Sequence, residues 1–140
     1  MRDGTPKTIY RQSYKPPDFL ISDVDLAFDI HEGTTRVVSK LTVERNGQHA
    51  RPLVLDGEGL SVRSISINGA QVAESDFTYA GGKLTLETVP HHFEFGAVVD
   101  IEPESNTSLE GLYRSRTMYC TQCEAEGYRK ITFGLDRPDV

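Results

Sequence analysis

Cys120-Thr121-Gln122-Cys123-Glu124-Ala125-Glu126-Gly127 crowds two thiols, an amide and two carboxylates into one short stretch. A C-x-x-C pair admits three chemistries. A redox dithiol sits at a helix start in a βαβ setting, and the surrounding sequence is strand-like instead. Half of a zinc site needs two further ligands. His31, His49, His91 and His92 are available, but none has the H-x-x-x-H spacing of a second half. The third reading is two small, soft, buried side chains packing a turn, and cysteine chemistry alone favours it. The neighbouring carboxylates offer more. Glu124 and Glu126 beside Gln122 can bind a cation, because an ionised carboxylate accepts charge-assisted hydrogen bonds from an ammonium and an amide adds direction. Solvated surface charge is the alternative.

Other catalytic patterns fail on inspection. His31-Glu32-Gly33-Thr34-Thr35 opens like H-E-x-x-H, but threonine stands where the second imidazole belongs. His91 and His92 are adjacent on an expected strand and point to opposite faces, so they do not chelate one ion. There is no G-x-S-x-G elbow and no phosphate-binding glycine loop.

The elements that must position these residues are strands. Val24, Leu26, Phe28 and Ile30 alternate with Asp23, Asp25 and Asp29, the pattern of a half-buried strand. After a turn at 31–34, Val37, Ser39, Leu41 and Val43 alternate with Arg36, Lys40 and Glu44, which predicts an antiparallel hairpin. Leu53 and Leu55 make a short strand. The apolar phase shifts between Val62 and Ile65, which predicts a bulge. Asn68-Gly69 is a tight-turn signal, and Gly81-Gly82 joins Phe77 and Tyr79 to Leu84 and Leu86. Phe93, Phe95, Ala97, Val99 and Ile101 form the longest late alternation. The one expected helix is short, near 124–130, and Gly127 weakens it. Turn signals recurring at this spacing predict an all-β, mostly antiparallel sandwich or saddle-shaped sheet.

The chain has 140 residues, enough for one domain, with no repeat or linker. A net charge of −6 argues against nucleic acid or anionic lipid as partner. No apolar run reaches the length of a membrane span, and the first residues lead into no signal-peptide core, so a cytoplasmic protein is expected.

Asn106-Thr107-Ser108-Leu109-Glu110-Gly111-Leu112-Tyr113, Cys120 to Arg129 and Asp136-Arg137-Pro138-Asp139-Val140 closely resemble the M1 family of zinc aminopeptidases, in its bacterial alanyl aminopeptidase branch. Tyr10 to Phe19 and the strand from Asp23 to Asp29 resemble the start of such an enzyme. The resemblance implies that residues 1–140 are an N-terminal β domain forming one wall of an active site. It implies that the thermolysin-like catalytic domain is absent from residues 1–140 and that the β domain is expected to be incomplete at its C-terminal end. It also implies that Glu124 binds the free α-ammonium of a peptide substrate and that Gln122 lines the pocket for its first side chain. Glu126 receives no role. The family's H-E-x-x-H, its G-A-M-E-N segment and its oxyanion tyrosine are missing. Zinc is therefore expected in the parent protein and not in this chain, which alone should be inactive. Its partners would be the peptide N-terminus and the catalytic domain of the same polypeptide. Two rivals stand beside this: a free-standing β-sandwich interaction module, and a thiol oxidoreductase with a depressed thiol pKa at Cys120 or Cys123.

Overall fold

Alternating side chains build the sheets much as the sequence suggests. The computed structural model describes residues 16–106, 108, 110–116, 118–123 and 127–136. Its strands, in chain order, are β1 (Phe19–Ile30), β2 (Thr35–Arg45), β3 (Leu53–Asp56), β4 (Ser61–Ile67), β5 (Ala70–Gln71), β6 (Thr78–Ala80), β7 (Lys83–Leu86), β8 (His92–Ile101), β9 (Gly111–Ser115) and β10 (Met118–Gln122). They form a five-stranded sheet in the order β1-β2-β8-β4-β5, a three-stranded sheet β3-β7-β6, and the β9-β10 hairpin. Every pairing is antiparallel.

The core lies between the two larger sheets. Val37, Leu41 and Val43 of β2, Ile65 of β4, and Phe93, Phe95 and Val99 of β8 are buried, and so are Leu53, Leu55, Leu84 and Leu86 of the smaller sheet. Each contributes roughly 1.5–3 kcal/mol by leaving water. The bulge falls where the phase shift predicts it, between Val62 and Ser64. Asn68 and Gly69 take φ of 51° and 82°, so the β4–β5 connection turns through left-handed backbone as an Asn-Gly pair allows.

On the outer face Asp100 sits between two arginines. Arg36 Nε donates to Oδ1 at 2.9 Å and Arg63 Nε to Oδ2 at 2.6 Å. The Arg36 hydrogen bond, aided by that from Arg63, holds the Asp100 carboxyl below its ordinary range despite burial. This pairing stitches β2, β8 and β4 together side by side.

One expectation needs correction and another is met over a shorter span. β1 forms and pairs with β2, but it is not half-buried. Val24, Phe28 and Ile30 are 53%, 40% and 44% exposed. Their cross-strand neighbours Leu41, Val37 and Thr35 are fully buried. Among the described residues the second layer stops before it reaches β1. The expected helix near 124–130 is, among the described residues, a single 3₁₀ turn at Tyr128–Lys130. Gly127 there serves a close backbone contact described below, and residues 124–126 lie outside the described residues.

Candidate functional site

Gln122 is the last residue of β10, opposite Gly111 at the start of β9, and it is exposed. The hairpin that carries it is fixed at both ends by side chains. At its root, the Asn106 amide donates to the carbonyls of Glu110 (2.7 Å) and Leu112 (2.9 Å), while its Oδ1 accepts from the Ser108 backbone (3.1 Å) and hydroxyl (2.6 Å). An Asn side chain that bonds its own following backbone makes a compact turn, and this one aims the chain into β9. Alongside, Glu104 Oε1 accepts from the Gly33 N–H (3.2 Å) and the Tyr119 hydroxyl (2.9 Å), with Arg114 at 3.4 Å. The β1–β2 turn and the hairpin are thereby tied to one carboxylate. The Gly33 N–H and then the Tyr119 hydroxyl hold the Glu104 carboxyl below its usual range, and the bond to Glu104 pushes the Tyr119 phenol up.

The chain returns to the hairpin through a glycine pair. Gly111 has φ +74°, and a Cβ there would sit 2.9 Å from Lys130 Cβ. A Cβ on Gly127 would collide with the Gln122 carbonyl oxygen and approach Cys123 Cα at 3.0 Å and the Gly111 nitrogen at 3.1 Å. Only glycine allows backbones this close. The Gly127 N–H also donates to the Cys123 carbonyl at 2.8 Å. Cys123 and Gly127, the residues flanking 124–126, are thus bonded to each other and packed on the hairpin. Glu124 and Glu126 themselves lie outside the described residues.

Beyond Gly127 the chain is clamped to β3. Arg129 Nε donates to Asp136 Oδ2 at 3.0 Å, and the Arg129 carbonyl accepts from Glu58 N–H at 2.7 Å. Asp56 pairs with Lys83 and accepts from the Asp136 N–H at 3.1 Å. Lys130 reaches Glu110 at 2.9 Å, closing the base of β9.

The thiols differ from their expected packing role. Cys120 is half-buried, Cys123 is exposed, and both are free. Partial burial, with the charge of Asp136, pushes the Cys123 thiol up, the opposite of what a thiol oxidoreductase needs. Cys120 lies within strand β10, not at a helix start.

The described residues offer no donor set for a catalytic zinc. Among the described residues no three His, Cys, Asp or Glu side chains converge as ligands. His31 meets exposed Asp29 at 3.0 Å, and His49 sits between Arg45 and the Asp18 carbonyl. His92 lies opposite Glu44 on the sheet. A cleft of about 390 Å³ lined by Glu58, Ile101, Glu102, Asn106, Leu112 and Lys130 lies behind the 106–112 loop and does not include Gln122. No helix among the described residues is long and apolar enough to cross a membrane.

Sequence reasoning nominated Gln122 and missed what holds it at the end of β10. Gly127 reads as a weak point in a helix, whereas it is a contact requirement. Glu104 and Tyr119 carry no motif, and only the fold brings them to Gly33.

No protein-family model matches the chain. Curated relatives do. Aminopeptidase N of Caulobacter vibrioides is 44% identical over 140 residues, all of this chain and 16% of the relative. Aminopeptidase N of Escherichia coli is 42% identical over 135 residues, 96% of this chain and 15% of the relative. The chain therefore spans about one sixth of the curated relatives it matches. Among solved structures, Legionella pneumophila aminopeptidase A in complex with aspartic acid superposes with a TM-score of 0.85 at 28% identity, covering 91% of this chain and 15% of that one. An M1 zinc metallopeptidase from Deinococcus radiodurans shares the fold, with a TM-score of 0.71 at 19% identity, covering 88% of this chain and 30% of that one.

Proposed function

We propose, for a chain homologous along its whole length to part of aminopeptidase N, that it is the substrate-anchoring β domain of a cytoplasmic zinc metalloaminopeptidase that releases N-terminal amino acids from peptides. The observation that carries this is the 44% identity over all 140 residues. The geometry of the hairpin is consistent with it: Gln122 ends a strand, and the Gly127 N–H donates to the Cys123 carbonyl. In this reading Glu124 accepts hydrogen bonds from the substrate's α-ammonium, and Gln122 borders its first side chain. An α-amine with a pKa near 7.7–8.0 is mostly cationic at neutral pH. A carboxylate that requires that charge selects free N-termini and rejects acylated ones. The zinc and the groups that activate water belong to the rest of the polypeptide, and these 140 residues alone do not hydrolyse peptides.

The test uses the longer protein. Glu124→Ala is expected to lower kcat/KM for an aminoacyl substrate by about 2–4 kcal/mol, the usual result of removing one partner of a desolvated charge pair. Gln122→Ala should alter preference among first residues more than overall rate. An unchanged kcat/KM in Glu124→Ala would show that the anchoring role is wrong.

A further inference from the structure

We infer that Glu104 is a positioning residue for the substrate anchor: by accepting from Tyr119 and from Gly33 at once, it fixes the face that the β9–β10 hairpin turns toward a bound peptide. The inference rests on the reading above that Gln122 borders the substrate's first side chain.

The hairpin needs such a device. It forms a two-stranded sheet of its own, outside the two larger ones. A lone two-stranded ribbon is marginally stable in water, so side chains and close contacts must set its orientation. Asn106, Gly111 and Gly127 hold its root, beside Gln122. A grip at the root alone does not stop the ribbon rolling about its long axis.

The pleat divides the ribbon into two faces. Leu112 and Arg114 lie opposite Thr121 and Tyr119 and share one face, while Met118, Cys120 and Gln122 take the other. Leu112 is 5% exposed and Met118 is 66% exposed. Among the described residues, the first face is laid on the body of the domain and the face with Gln122 is turned away from it.

Glu104 grips the first face. Its Oε1 accepts from the Tyr119 hydroxyl at 2.9 Å and lies 3.4 Å from the Arg114 guanidinium. That guanidinium lies over the Tyr119 ring, 5.6 Å from its centroid. The same oxygen accepts from the Gly33 N–H at 3.2 Å. Gly33 belongs to the turn that the His31 N–H closes onto the Thr34 carbonyl at 3.0 Å, just before β2 begins. The carboxylate itself is carried by the 3₁₀ turn Pro103–Ser105, whose proline is buried close after the end of β8. Both supports thus issue from β2 and β8, adjacent strands of the five-stranded sheet.

Tyr119 precedes Gln122 by three positions on β10, about 10 Å along the strand. The second grip therefore lies well clear of the root. Side chains act on a substrate only while held within about 10–20° of their productive direction. Two grips this far apart, one of them charge-assisted, hold the roll within such limits.

The experiment compares Glu104→Ala, Glu104→Gln, Tyr119→Phe and the double variant Glu104→Ala/Tyr119→Phe in the longer protein, with steady-state kinetics on an aminoacyl p-nitroanilide. Glu104→Ala is expected to raise KM roughly three- to tenfold with kcat within about twofold. Bound substrate reselects the anchored orientation, so only the competent fraction of free enzyme has fallen. Tyr119→Phe cuts the hairpin's side of the link and should reproduce this, and the double variant should be no worse than either single one. Glu104→Gln keeps an acceptor oxygen in place and should return KM to within about twofold of wild type. A merely structural role would lower the amount of active enzyme and leave KM alone, and that outcome overturns the proposal. Additive single effects, or a Glu104→Gln as impaired as Glu104→Ala, overturn it too. Hydrogen exchange of peptides spanning 111–122 reads the grip without catalysis: roughly threefold faster exchange or more is expected in Glu104→Ala and Tyr119→Phe. Glu124→Ala is measured alongside. If it is impaired while Glu104→Ala changes neither KM nor exchange, the positioning role fails and the anchoring reading stands. If it is unimpaired, the anchoring reading fails, and exchange alone decides the grip: faster exchange supports it and unchanged exchange overturns it.

Discussion

The Arg129 guanidinium meets the Asp136 carboxylate at 3.0 Å, closing the loop 129–136 that the same carboxylate also caps by accepting the Arg129 N–H at 3.2 Å. One ion pair therefore shapes the segment that leaves the hairpin and delivers it to β3, where Asp56 lies 3.8 Å from Arg129. All three side chains are largely buried. Arg129→Ala would leave the largely buried Asp136 carboxylate without its guanidinium partner, and is expected to destabilise the fold by about 3–5 kcal/mol. Asp136→Asn, which keeps an acceptor, should cost less. Urea unfolding of the longer protein, with the double variant to extract the coupling, checks both.

Gly127 is the residue whose replacement should separate stability from function. An added methyl has no room against the Gln122 carbonyl. Gly127→Ala is expected to cost about 1–3 kcal/mol by overpacking. If the Cys123–Gly127 segment presents the substrate anchor, kcat/KM should also fall at temperatures where the variant remains folded. An active site indifferent to Gly127→Ala would argue that the clasp only supports the fold.

Acid stability should depend on Asp100. Its folded pKa lies below the ordinary carboxylate value, because Arg36 and Arg63 favour the ionised form. The stabilisation is therefore complete above the unfolded value near 3.8 and disappears as pH falls through the lower, folded one. Asp100→Asn should be less stable at neutral pH and show a flatter decline below about pH 4. Thermal unfolding across pH 2–7, with wild type and variant side by side, measures the difference.

Tyr128 governs the alkaline limb. Burial, with the charges of Cys123 and Asp136, pushes its phenol up to about 12. The neutral form is favoured on folding, so this contribution is intact below the unfolded value near 10 and lost as pH rises through about 12. Ultraviolet titration of tyrosinate should show a group titrating near pH 12 that is missing in Tyr128→Phe and retained in Tyr119→Phe.

The sequence was most legible where one periodicity decides the answer. Thr35 to Arg45 alternates inside and outside as its residue types demand, and the Val62–Ile65 phase shift marks a real bulge. β1 shows what such a pattern omits. Valine, leucine, phenylalanine and isoleucine on one face declare that the face prefers burial, yet whether a second layer lies above it depends on where other strands stop. The 124–130 segment is helical, among the described residues, only at Tyr128–Lys130, for a different reason. Helical propensity is a local quantity, and Gly127 answers to Gln122 and Gly111 across a backbone contact. Glu104, Gly33 and Tyr119 meet through topology alone, and no spacing rule reaches across seventy residues.

The central place of β8 has a consequence for synthesis. β1 and β2 are neighbours in sequence and can pair as soon as both emerge, but β2 gains its other partner only when residues 92–101 arrive. Until then the hairpin is a two-stranded ribbon with both flanks open, on the slow, long-range route that favours misassociation. A growing chain that stalls before Ile101 would present just the sticky ribbon that chaperones capture, and the aspartates of β1 would be its main guard in that interval.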